Sequence, residues 1–267
     1  MKGGSNEKSA VCAIMIKEEK YVDEFIQYYL YGLRFSKVYI YDNSQENTLK
    51  DLPNKYPNVV VVHFPGKEKQ LPAYNDWLTK NMALPEDERM NWCAFLDTDE
   101  FIVLKKHNNI TEFLREYCKE GGLALNWYLY GDSKHTEPTD EPITKRFTWR
   151  CSTVNQHIKT IIKCSDTETI DNIHAVHKYM NGKVLKDTGG KKITGLYNPN
   201  GPTDIAVINH YFTKTRAEFS IKTARGKADA VDIRKDSEFD SHNCNEMQDD
   251  SAYKIYLKAQ ESTPKSV

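Results

Sequence analysis

Residues 92–104, Trp-Cys-Ala-Phe-Leu-Asp-Thr-Asp-Glu-Phe-Ile-Val-Leu, place the carboxylates of Asp97, Asp99 and Glu100 between two apolar runs. Charges wedged against apolar segments are costly unless something cationic meets them. A divalent metal carrying a phosphate-bearing ligand is the natural candidate. Oxygen donors suit Mg2+ or Mn2+, which keep some waters and bridge to substrate phosphates. Asp97 and Asp99, two positions apart, are expected on one face of the strand end, with Glu100 on the other. At this Asp content an Asp-x-Asp triplet arises about once by chance, so the surrounding elements must carry the case.

Those elements begin with residues 10–16, a continuous apolar run of the kind found in strands buried on both faces. The run ends in Lys17, Glu18 and Glu19. Apolar residues at 22, 25, 26, 29, 30 and 33 then recur at helical spacing, with Asp23 and Glu24 in the first turn. Residues 37–41 read as a second strand, ending in Asp42, Asn43 and Ser44. A short helix near 48–55 leads to a third strand at 59–63. This β-α-β-α-β order predicts a mostly parallel sheet flanked by helices. Such sheets carry their functional loops at the carboxyl ends of the strands, where residues 17–19, 42–44 and 97–100 all fall.

Further helices are expected at 74–82, 110–120, 216–230 and 251–259. Strands are expected at 123–130 and 205–212, with one or two more between 146 and 163. Asn181-Gly182 signals a hairpin turn. Residues 132–144 and 186–203 read as loops, the former a candidate active-site loop. A single domain over 9–260 is expected, after a disordered stretch at 1–8.

Composition narrows the classes. The 267 residues, 39% hydrophobic and 28% charged, are ordinary for a soluble globular protein. A formal charge of −1 gives no electrostatic reason to expect nucleic acid as a partner. No apolar run approaches the length of a membrane span, and the first ten residues lack the apolar core of a signal peptide. Six scattered cysteines without Cys-x-x-Cys spacing suggest neither a zinc knuckle nor a redox motif. They point to a reducing, cytoplasmic compartment, in which the sequon at Asn109 is accidental.

Four stretches carry a resemblance. "CAIMIKEEKYVDEFIQYYLYGLRFSKVYIYDNS" is similar to the opening of glycosyltransferase family 92-like enzymes and their family 2-type relatives. "WCAFLDTDEF" resembles their Trp-x-x-x-x-Asp-x-Asp-Glu-Phe segment. "NWYLYGDSKH" is similar to their Trp-x-x-Phe-Gly-Ser-Ser-like strand end. "NHYFTKTRAEFSIKTARGKAD" resembles a late Asn-His-Tyr segment followed by a basic helix. The order holds over residues 10–230, with a more distant likeness to glycosyltransferase domains of large algal viruses. Lys17-Glu18-Glu19 departs from the family's Lys-Asn-Glu turn, and Gly131-Asp132-Ser133 from its small hydroxyl residues.

The resemblance implies an α/β A-type glycosyltransferase fold. It also implies a nucleotide-sugar donor, UDP-linked, a Mn2+ or Mg2+ ion, a glycan or glycoconjugate acceptor and inversion at the anomeric carbon. In that frame Asp42 contacts the uracil or ribose, Asp97 lies toward the ribose and metal, and Asp99 toward the metal. His210 completes the metal site with a neutral imidazole, with His174 and His177 as rivals. Gln70, Tyr74 and Asn75 line the donor pocket. Lys222 and Arg225, three apart on the basic helix, neutralise the diphosphate. Asp132, beside the long loop, is the candidate base for the acceptor hydroxyl, and Trp127 either stacks on a sugar or packs in the core. Two alternatives stand beside this. One is a non-catalytic nucleotide-sugar or glycan-binding domain. The other is a nucleotidyltransferase, which needs a Gly-rich phosphate loop that residues 17–19 do not supply.

Overall fold

Why the first half folds as expected is plain in the burial of its strands. In the computed structural model, which describes residues 7–175, 177–224 and 235–264, every residue of β1 (Ser9–Met15) is buried. Val11, Ala13 and Met15 enter one apolar cluster, and Ala10, Cys12 and Ile14 another. Helices therefore cover both faces. On one side lie α1 (Val22–Gln27), a widened π-helical turn at Tyr28–Gly32, and α2 (Leu52–Lys55). α3 (Gln70–Ala83) covers the other. β1 pairs in parallel with β2 (Lys37–Asp42) and with β4 (Trp92–Phe95), and β2 pairs in parallel with β3 (Val59–His63). The carboxyl ends of β1, β2 and β4 thus share one edge, as the sequence predicted.

Beyond β4 come β5 (Glu100–Leu104), α4 (Ile110–Tyr117), β6 (Gly122–Leu129), α5 (Ile143–Arg146), β7 (Trp149–Arg150) and β8 (Asn155–Lys163). Here antiparallel strands join the mostly parallel sheet. β8 inserts between β4 and β6 and runs antiparallel to both. Its start therefore lies at the edge where β4 and β6 end. The remaining strands are β9 (Thr167–Thr169), β10 (Lys178–Tyr179), β11 (Leu185–Asp187), β12 (Lys192–Ile193), β13 (Ala206–His210) and β14 (Met247–Gln248). β11 and β13 share the far side of β6, both parallel to it, and β13 also pairs antiparallel with β5. The result is a mixed ten-stranded sheet in an α/β fold.

Asn181-Gly182 does not close a hairpin. Asn181 is left-handed (φ 54°), but β10 pairs with β9 and β11 with β6 and β12. The hairpin lies instead between β11 and β12, turning at Gly189-Gly190 inside the stretch expected to be loop. α6 (Arg216–Ala224), α7 (Ser237–His242) and α8 (Ser251–Ser262) complete the chain, and α8 packs closely on Gly32, where a Cβ would come within 2.9 Å of Ile255. The backbone of Lys8 already belongs to the fold, donating to Asn91 Oδ1. Among the described residues no helix is long and apolar enough to cross a membrane.

Cys151 and Cys244 form a disulfide across 93 positions, while Cys12, Cys93, Cys118 and Cys164 are buried free thiols. The spacing of the cysteines along the chain did not announce this pair. The sequon residue Asn109 is used as an N-cap, its side chain accepting from the Glu112 N–H.

Candidate active site

Residues 96–99 form a turn between β4 and β5, so the strand alternation that put Asp97 and Asp99 on one face does not apply. The two aspartates have separate partners. Asp97 accepts from Gln70 Nε2 (2.7 Å) and from Lys159 Nζ (2.9 Å). Asp99 meets Lys222 Nζ at 2.5 Å, Lys214 Nζ at 3.4 Å and His210 Nε2 at 3.6 Å. Glu100, fully buried, accepts the Asp97 N–H (2.8 Å) and lies 3.5 Å from the same Lys159 ammonium.

Each partner is held by its own local structure. Lys159 sits on the face of β8 that points back at the turn and is fully buried. His210 ends β13, directly opposite Glu100 on β5, and the following Tyr211 N–H donates to the Asp99 carbonyl. Lys222 rides on α6, whose start is a capping box. Thr215 Oγ1 accepts the Glu218 N–H while the Glu218 carboxylate accepts the Thr215 N–H and hydroxyl. Glu218 also takes both terminal guanidinium nitrogens of buried Arg146, fixing α6 against α5. Lys214 is buried in a left-handed conformation (φ 52°), which costs a residue with a Cβ on the order of 1 kcal/mol. Such strain persists where the surroundings hold it, here against Asp99.

The carboxyls are not equivalent. Burial would raise Asp97, but Lys159 outweighs it and the group is held below the usual carboxylate range. Burial is likewise outweighed at Asp99 by Lys222, Lys214 and His210, leaving it well below that range. At Glu100 burial wins over Lys159 and favours the protonated form. Burial also lowers His210 despite its contact with Asp99, so the imidazole is neutral. Among the described residues, three lysines thus gather with two ionised aspartates at the edge where parallel sheets bind ligands.

Does the donor set suit a divalent ion? Asp99 Oδ1 and the neutral His210 Nε2 face each other beyond hydrogen-bond distance, and His210 Nδ1 has no partner among the described residues. Two protein donors completed by phosphate oxygens and water suit Mg2+ or Mn2+. Asp97 is the poorer ligand, since Gln70 and Lys159 engage both of its oxygens. Among the described residues no three His, Cys, Asp or Glu side chains already converge on one metal position.

The sequence of this site has relatives. The glycosyltransferase family 92 profile matches residues 7–247. The chain belongs to glycosyltransferase family 92. A family 92 protein of Oryza sativa subsp. japonica is 24% identical over 208 residues, covering 75% of this chain and 32% of that protein. One of Ricinus communis is 21% identical over 221 residues, covering 79% and 36%. The chain therefore spans about a third of the length of these relatives. Solved structures match only weakly. A 4-diphosphocytidyl-2C-methyl-D-erythritol synthase has a TM-score of 0.33 at 8% identity, over 59% of this chain and 76% of that one. The WbbM bifunctional glycosyltransferase has a TM-score of 0.26 at 11%, over 47% and 24%. Scores this low bear on neither mechanism nor substrate.

Of the other residues expected in this family 92 site, Gln70 and Lys222 reach the turn, and Tyr74 supports Gln70 by its hydroxyl (2.9 Å). Asn75 points elsewhere, bonding the Leu71 carbonyl and both backbone groups of Ile170. Asp42 is wholly buried, and its oxygens accept the Ser44 and Leu49 N–H groups, ordering the loop after β2. Asp132 holds the Asn243 and Asn245 side-chain amides and the Lys134 N–H, so it ties residues 131–135 to 243–245. Arg225 lies outside the described residues. Residues 172–175 and 177 are not helical, so His174 and His177 do not share a helix face. His177 bonds Thr160, while His174 neighbours His157 and Trp127. Lys159 and Lys214 were missed. The signal for Lys159 was there, a lysine between Ile158 and the run Thr160, Ile161 and Ile162, which burial makes costly unless paired.

Proposed function

We propose that this family 92 domain transfers a sugar from a UDP-sugar to a glycan or glycoconjugate acceptor, with inversion, and that a Mn2+ or Mg2+ ion takes part. The observation that carries the proposal is the gathering of Lys159, Lys214 and Lys222 with the ionised Asp97 and Asp99 around the β4–β5 turn, at the strand-end edge of the sheet. Three ammonium groups gathered at that edge suit a diphosphate. Asp99 and His210 would hold the ion, which when bound supplies Lewis-acid neutralisation of the leaving diphosphate.

The remaining roles belong to the chain. Lys222 exchanges Asp99 for a phosphate oxygen, and Gln70 and Lys159 keep Asp97 ionised and oriented toward the ribose. Attack by an acceptor hydroxyl on the anomeric carbon breaks the sugar–phosphate bond and releases UDP. Asp132 is the candidate base, and to act it must exchange an Asn243 or Asn245 amide for the acceptor hydroxyl. Asp42 supports uridine binding by ordering the loop 43–49.

The test is a panel of UDP-sugars incubated with the protein and Mn2+, read as released UDP. Slow hydrolysis of at least one donor, dependent on the ion, is expected. UDP binding without hydrolysis or transfer of any donor would instead establish a non-catalytic nucleotide-sugar-binding domain.

A further inference from the structure

A chain of aromatic rings runs from solvent to the candidate metal ligands. Tyr197, 48% exposed, packs edge-on against His157 at 4.8 Å. His157 stacks on Trp127 at 5.1 Å and 15°. Trp127, 7% exposed, meets His210 edge-on at 4.4 Å, and His210 faces Asp99. His157 lies two positions before Lys159 on β8, which keeps the rings close to the lysine that holds Asp97.

The exposed tyrosine is rigidly placed. Asn198, wholly buried beside it, exchanges hydrogen bonds with Asn126 through its carbonyl (2.8 Å) and side-chain amide (3.1 Å). Its amide also reaches Asp187 (3.0 Å), and its N–H donates to the Gln156 carbonyl. Gly201 closes the turn so tightly that a Cβ would fall 1.9 Å from Asn126 Oδ1. Buried amides that fix a loop are not needed merely to show a tyrosine to water. A second observation points the same way. Trp127 Nε1 and His174 Nδ1 are buried and without a partner among the described residues, whereas buried polar atoms ordinarily have one.

We propose that Tyr197 and His157, backed by Trp127, form the acceptor subsite, a stacking floor for a pyranose ring of a glycan. Aromatic rings take up the apolar C–H face of a sugar, and a mixed edge of ring and polar nitrogens suits a ligand that is apolar on its faces and hydroxylated at its rim. Burial keeps His157 and His174 neutral, the latter down to about 3, so neither repels the ammonium of Lys159 or competes for Asp97. This inference rests on the glycosyl-transfer proposal and assigns the side of the site from which the acceptor enters.

The experiment is saturation-transfer NMR on the full chain with cellobiose, lactose and N,N'-diacetylchitobiose as probes, with and without UDP and Mn2+. At least one disaccharide is expected to bind the unsubstituted protein. Tyr197→Ala should weaken it ten-fold or more, Tyr197→Phe should retain it, and both should bind UDP unchanged. Equal disaccharide binding by Tyr197→Ala, or no disaccharide binding to the unsubstituted protein, overturns the subsite. Failure of UDP to bind the unsubstituted protein counts against the donor site instead.

Discussion

Lys159→Met tests whether one buried ammonium organises the acidic turn. The side chain is fully buried, with Nζ at 2.9 Å from Asp97 and 3.5 Å from Glu100. Breaking a buried pair by removing one partner costs about 3–5 kcal/mol, because the other charge is stranded. The Asp97 side chain is 35% exposed, so water compensates in part and the lower end, about 3 kcal/mol, applies. For a chain of this size that is a drop of roughly 6–12 °C in Tm. The pH dependence fixes the cause. In the native protein Asp97 titrates below its unfolded value, so its contribution is present above the ordinary carboxylate range and is lost as pH falls through the native value. Without Lys159 that depression disappears and Asp97 protonates more readily. The cost of the substitution should therefore be largest at pH 8 and shrink towards pH 4, as read by urea denaturation across that range. A loss under about 1 kcal/mol at pH 8, or one independent of pH, would refute the reasoning.

Other substitutions separate the remaining roles. Asp132→Asn removes acceptors for Asn243 and Asn245. If Asp132 only anchors the loop, stability falls by about 1–2 kcal/mol and transfer persists, whereas a base loses transfer while donor binding is kept. Lys222→Met should weaken UDP binding about ten-fold and flatten its salt dependence, measured by calorimetry at two ionic strengths. Replacing Cys151 and Cys244 by serine opens a loop of 93 positions and should cost roughly 4–5 kcal/mol by chain entropy, seen as a lower Tm that dithiothreitol no longer shifts.

The first half of the fold was legible because each parallel strand is a continuous apolar run that stops at a polar cluster, and that stop marks the ligand edge. The second half was not, for reasons visible in particular residues. β8 reads as apolar whichever way it runs, so its antiparallel course, and with it the placement of His157 and Lys159, depends on the whole sheet. Asp42 and Asp132 stand at strand ends as expected, but the sequence did not show that both also order loops, since aspartate at a strand end caps a loop as readily as it binds a ligand. Asn181-Gly182 supplied left-handed backbone without a hairpin, because the strand beside it found partners elsewhere. The pairing of Cys151 with Cys244 has no local signature at all.

The site's central claim is that Asp99, with His210, receives a divalent ion together with UDP. Calorimetric titration of UDP into the protein with and without Mn2+ tests it most directly, repeated on Asp99→Ala. Mn2+ should tighten UDP binding ten-fold or more in the unsubstituted protein and leave it unchanged in Asp99→Ala. Equal enhancement in both proteins would contradict the account.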